Sequence, residues 1–192
     1  MTQVYGALTG MGDAWRDELK AILEREDPEA LIRVTRKQTA KVVRYLNGRL
    51  CSADDKERWR AVRALGVVVG EAQLVSRQKA ADLLRRFHWA LNDESGAVPY
   101  GVPEAIGEIL GVRSELQGDF LPILCAMLTD EDMKQTGSIE RGVMWALGRI
   151  GPPVARCSPA AVEALRWAAK RHTDPETRGV AARSLALILA TK

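Results

Sequence analysis

The chain is poor in the residues that build covalent staples, metal cages and membrane spans. Only three of its 192 residues are cysteine, Cys51, Cys125 and Cys157. They are widely spaced and odd in number, and none belongs to a CxxC or a Cys/His pair at zinc-ligand spacing. That pattern argues against a disulfide framework or a zinc finger, and reduced, partly buried thiols are the expectation. The two histidines, His88 and His172, are far apart. No Gly-rich phosphate loop follows a strand, and no Ser/Cys/His constellation is identifiable. No catalytic residue, cofactor site or metal site is therefore expected. Met1 is not followed by a basic and then apolar signal region, and no apolar run approaches the ~18 residues of a membrane span. The expectation is a cytoplasmic protein that does not enter a membrane, folded as one domain over 1–192.

Charge of one sign is also scarce. Lys and Arg number 28 against 25 Asp and Glu, a net +3 that neither demands nor excludes a polyanionic partner. Aromatics are 5% of the chain, and Trp supplies five of them, so each Trp is worth placing.

What the sequence does contain is a repeat. Four nine-residue windows, starting at Ala61, Val102, Val143 and Ala181, align without gaps. The first position is Ala or Val; the fourth reads Ala64, Ala105, Ala146, Ser184; the fifth Leu65, Ile106, Leu147, Leu185; the eighth Val68, Ile109, Ile150, Ile188. These four positions fall on one face of a 3.6-residue helix and predict its core side. The sixth reads Gly66, Gly107, Gly148, Ala186. Gly costs a helix about 1 kcal/mol, so its recurrence points to close approach of a neighbouring helix. A buried strand over Leu65 to Val69 competes in the first window alone, because the matching positions elsewhere hold Glu, Trp, Arg or Ala.

Partner helices lie between the windows. Asp27-Pro28 opens one running to about Arg49, Ser76 to Leu91 carries an apolar stripe, Asp119 to Leu128 is nearly all apolar, and Ser158-Pro159 opens one to about Arg171. Acidic turns such as Asp54-Asp55, Asp130-Glu131-Asp132 and Asp174-Pro175-Glu176 separate the pairs. Helix, acidic turn, helix at about forty residues resembles the HEAT-like repeats of bacteria, including those of the phycobilisome-lyase type. The resemblance covers Thr35 to the C-terminus, with Gly12 to Glu26 as a capping helix. The turn leading into Pro103-Glu104-Ala105-Ile106-Gly107-Glu108 looks like a segment of small bacterial HEAT proteins. The resemblance implies an all-α fold, a right-handed α-α superhelix or solenoid of about four helix pairs, whose second helices line a concave surface.

Positions three and seven, joined by the residue two before each window, then face that surface. They read Arg63, Glu104, Trp145, Arg183; Val67, Glu108, Arg149, Leu187; and Trp59, Tyr100, Arg141, Gly179. Trp, Tyr and Arg are frequent interface anchors. The candidate partner-binding residues are Trp59, Arg63, Tyr100, Glu104, Glu108, Arg141, Trp145, Arg149 and Arg183. The alternative is that Arg63–Glu104 and Glu108–Arg149 are ion pairs between repeats, with the aromatics packed across helix junctions. The turn from Glu94 to Pro103 adds two prolines, two glycines and Tyr100, and serves either binding or the geometry of the next helix. Trp89 and Trp167 fall opposite the core stripe, as isolated surface residues or a homodimer contact.

The expected function is a non-catalytic protein-interaction scaffold, monomeric or homodimeric. A second reading rests on Ala30 to Ala53, which holds Arg33, Arg36, Lys37, Lys41, Arg44 and Arg49 with no acidic residue; this basic helix is either a solvated face or a nucleic-acid site, as in the DNA glycosylases of the HEAT-like class. Membership of the bilin lyase-like class is a third reading, implied by the repeat type alone. Glu104 and Glu108, one turn apart, are able to share a metal or a proton, but no His accompanies them, and the His-Glu dipeptides of the diiron HEAT hydroxylases are missing.

Overall fold

A computed structural model describes residues 7–71, 73–92 and 100–190, and among these every regular element is helical. The order is α1 (Ala7–Arg25), α2 (Pro28–Arg49), α3 (Asp55–Gly70), α4 (Arg77–Leu91), α5 (Val102–Val112), α6 (Gln117–Thr129), α7 (Gly137–Ile150), α8 (Pro153–Cys157), α9 (Pro159–Arg171) and α10 (Pro175–Leu189), with a 3-10 turn over Ser114–Leu116. Leu65 to Val69 lies inside α3, which disposes of the strand alternative.

Helix starts follow the capping chemistry of the sequence. Asp27 accepts from the Ala30 N–H, Asp54 from Lys56 and Glu57, Ser76 from Lys79, Ser158 from Ala161 and Asp174 from Glu176 and Thr177. Each satisfies backbone donors that the first turn leaves unpaired, a contribution of about 1 kcal/mol per cap. The acidic turns are therefore also N-caps. The helix expected to run unbroken to Arg49 instead kinks at Gln38, whose φ of −158° and ψ of 47° leave the helical region. The short α8 was not signalled by any period in the sequence.

The four windows occupy α3, α5, α7 and α10, and these pack side by side in that order: α5 lies between α3 and α7, and α7 between α5 and α10. A second layer, α2, α4, α6 and α9, covers them, with α2 on α3, α6 on α7 and α9 on α10. The predicted core columns are buried in all four helices except at Leu185, which is partly covered. The small sixth column does what its recurrence implied. A Cβ on Gly107 would stand 2.6 Å from Ala146 Cα, one on Gly148 2.7 Å from Ser184 Cα, and one on Gly66 2.9 Å from Glu108 Cβ. No side chain fits there without parting the helices.

Two polar residues, Arg113 and His88, are buried with the core. Arg113, at the C-cap of α5, is 5% exposed. It donates to the carbonyls of Val69 (2.8 Å) and Val75 (3.0 Å) and to Glu115 (2.6 Å), joining the ends of α3 and α5 to the start of α4. His88 is buried and stacked 5.9 Å from Phe120, and burial pushes its imidazole down to about 4. The thiols are less separate than their spacing suggests. Cys125 is buried against Cys157, and burial first, then that neighbour, lifts its thiol to about 12. No described helix is long and apolar enough to cross a membrane.

Candidate functional site

A groove of about 600 Å³ opens where the N-terminal parts of α3, α5, α7 and α10 meet. Six of the nine candidate residues line it: Trp59, Tyr100, Glu104, Arg141, Trp145 and Arg183. They come together because α3, α5, α7 and α10 pack side by side. Trp59 of α3 and Trp145 of α7 touch across α5, edge to face, with ring centroids 4.9 Å apart and planes at 68°. Such pairs contribute about 0.5–1.5 kcal/mol beyond their buried area. Both Trp side chains are half-buried.

Tyr100 is set by the turn entering α5, where the Gly101 N–H donates to the Leu50 carbonyl at 2.9 Å. The Arg58 guanidinium then lies 5.7 Å from the Tyr100 ring centre, bonded also to Asp55 and to the Ser52 carbonyl (2.7 Å). Residues 94–99 of the expected Glu94–Pro103 turn lie outside the described residues, and Val102 and Pro103 belong to α5. Across the groove, Arg141 pairs with Asp174 (3.2 Å) and Glu176 (3.5 Å) at the start of α10. Hydrogen bonds from the Thr177 hydroxyl and backbone N–H hold the Asp174 carboxyl down at about 2, so it stays charged for this pairing.

Glu104 departs most from expectation. Its column was to face solvent, yet the side chain lies flat on Gly142 of α7, where a Cβ would come within 2.9 Å of its Oε1. Its Oε2 is buried with no hydrogen-bond partner among the described residues. Burial pushes this carboxyl up to about 7, against the pull of its own backbone N–H and of Arg58 and Arg141. A buried acceptor left without a donor is costly and concentrates at functional sites.

The other three candidates point elsewhere. Arg63 bonds Glu26 of the α1–α2 turn at 2.6 Å rather than Glu104, correcting the first expected ion pair. Glu108 and Arg149 do pair, at 3.0 Å. That contact also separates Glu108 from Glu104, since one carboxylate serves Arg149 while the other lies over Gly142. Among the described residues no three His, Cys, Asp or Glu side chains gather as a metal site. Trp89 and Trp167 are exposed, at 73% and 54%. His172 ties α7 to the start of α10: its Nδ1 accepts from the Asp174 N–H at 3.1 Å and its Nε2 lies 3.4 Å from Glu140.

The raised Glu104 pKa has a direct thermodynamic consequence. Between about 4.5 and about 7 the folded chain holds a proton that the unfolded chain has released, so stability falls as pH rises through this window. At 1.36 kcal/mol per unit the loss approaches roughly 3 kcal/mol above pH 7. Glu104→Gln lacks this proton, and urea unfolding at pH 5 and pH 8 should show the variant gaining on the parent by about that amount. A pH-independent difference would place the carboxyl in water.

Compared with known protein families and with the curated proteins, the chain matches no family model and no curated protein.

Proposed function

We propose that this chain is a HEAT-like α-solenoid that serves as a protein-interaction scaffold, taking a segment of its partner into the groove between Trp59, Tyr100 and Trp145. Support for the solenoid comes from two helical layers in register and a glycine column that sets the spacing between successive repeats. The observation that carries the function is the meeting of Trp59 and Trp145 across α5. Two large, half-exposed rings beside Tyr100 and Arg141 form an aromatic and arginine cluster of the kind that dominates binding energy at interfaces. Arg63, Glu108 and Arg149 then support the row rather than the partner.

Trp145→Ala tests this directly. Affinity for a captured partner should fall about 30-fold, a hot-spot loss of about 2 kcal/mol. The accompanying loss of stability should stay below the ~3–5 kcal/mol of a fully buried Trp. The exposed Trp167→Ala serves as control and should retain both stability and capture. Undiminished capture by Trp145→Ala would remove the groove from the interface.

A nucleic-acid reading has one specific observation in its favour. Arg44 of the basic segment faces Lys79, Arg85 and Arg86 of α4 around a groove of about 660 Å³ between α2 and α4. Among the described residues the one carboxylate lining it, Asp82, is engaged by Arg85 and Gln78. On this reading the double variant Arg44→Glu, Arg86→Glu abolishes duplex binding, and the parent's affinity falls steeply between 50 and 200 mM salt, by ~10-fold or more. Salt-insensitive or absent binding by the parent excludes it.

A further inference from the structure

We propose that the groove selects its partner by a basic side chain, arginine or lysine, whose N–H donors close on the Glu104 carboxylate while its aliphatic stem lies along Trp59 and Trp145. This rests on the protein-binding reading of the groove and names the chemistry it recognises.

The inference comes from asking which groups around the groove already have partners. On α3, Arg58 is committed to Asp55, to the Ser52 carbonyl and to the face of Tyr100. On α7, Arg141 is committed to Asp174 and Glu176. Both cations thus carry carboxylates of their own. Arg183 of α10 stands exposed at the groove wall and does not hydrogen-bond the orphan oxygen. Glu104 alone holds a buried oxygen that no described donor reaches. Its carboxyl rests on the bare backbone of Gly142, and the rings of Trp59 and Trp145 share the groove with it.

An incoming N–H donor would satisfy that oxygen and return to the carboxylate part of the stabilisation that burial removed. A cation gains further from the indole faces, which attract positive charge when water is excluded. An acidic segment fits poorly, because it would set a second carboxylate beside Glu104 while Arg58 and Arg141 are already engaged. A neutral segment accepting a hydrogen bond from the acid form of Glu104 is the remaining alternative, and pH separates it from the basic one. Burial holds Glu104 near a pKa of about 7, so a basic ligand must displace a proton and binds better as pH rises, whereas a carbonyl acceptor binds worse. The charged groups facing the site, Asp55, Arg58, Arg141, Glu176 and Arg183, are carboxylates and guanidiniums, residue types that normally keep their charge between pH 6 and 8.

The test uses the full chain and three short capped peptides that differ at one position, carrying arginine, lysine or glutamate, titrated against Trp fluorescence. The expected result is binding of at least one basic peptide, strengthening about tenfold from pH 6 to pH 8. Glu104→Gln should lose about tenfold in affinity for it and lose the pH dependence, and the glutamate peptide should bind more weakly than either. The proposal is overturned if no basic peptide binds at millimolar concentration, if the glutamate peptide binds best, if affinity falls with rising pH, or if Glu104→Gln binds as well as the parent. Partner capture distinguishes this failure from failure of the groove itself. If Trp145→Ala loses capture while Glu104→Gln retains it in full, the groove stands and the basic side chain falls.

Discussion

Leu147→Asp should abolish cooperative unfolding, leaving a chain that is unfolded or insoluble at any temperature. Leu147 occupies the fifth window position in α7, is fully buried, and lies in the helix between α5 and α10. An aspartate there would remove the apolar contacts of Leu and bury an unpaired carboxylate. The first loss alone is worth ~2–5 kcal/mol and the second several more, against a total stability of about 5–15 kcal/mol for a typical domain. The same substitution at Leu187 supplies the control. That leucine sits at the seventh position of α10 and is 55% exposed, so Leu187→Asp should change stability by less than about 0.5 kcal/mol. Equal behaviour of the two variants in a thermal melt would mean that the column register is wrong.

Gly107→Val should be nearly as damaging, for a different reason. The added Cβ would meet Ala146 at 2.6 Å from its Cα and 2.7 Å from its Cβ, atoms of a neighbouring helix backbone that cannot rotate away. Replacing Gly in a helix normally gains up to ~1 kcal/mol in propensity. Here the helices α5 and α7 would have to separate, and overpacking of this kind costs about 1–3 kcal/mol even where side chains can adjust. With backbone on the far side, a net loss of roughly 3 kcal/mol or more is expected, read as a lower urea midpoint. Gly48, at the end of α2, has no atom within 4 Å of an added Cβ. Gly48→Ala should therefore leave stability unchanged or raise it by at most ~1 kcal/mol.

These contrasts show which parts of the molecule a one-dimensional pattern carries. Period and caps are local properties, so the core columns and the starts of α2, α3, α4, α9 and α10 are legible from residues a few positions apart. The sixth column also spoke, because three glycines at one register have no local rationale in a helix. What the pattern could not give is the set of contacts made between helices. Position three lies on the same azimuth in each repeat, yet Arg63 reaches back to Glu26, Glu104 lies against Gly142, and Trp145 meets Trp59 two helices away. Which of these happens depends on neighbours far away in the sequence. The kink at Gln38 has no Pro or Gly to announce it. Burial of Arg113 and His88 ran against residue type, and the carbonyls that hold Arg113 come from 38 to 44 residues away.

Arg113 also bears on how such a row comes apart. Helices that touch mainly their neighbours can fray inward from either end, each step costing only the local contacts it breaks. The guanidinium of Arg113 acts as a rivet in that sequence. Peeling α3 or α4 away strips the Val69 or Val75 carbonyl from it, and leaves the guanidinium short of an acceptor that only Glu115 partly replaces. The end of α3, the start of α4 and the end of α5 must then part together or not at all. Under tension, or during slow exchange of backbone amides with solvent, α1 and α10 can open as separate outer pieces while α3 to α5 yields as a single block.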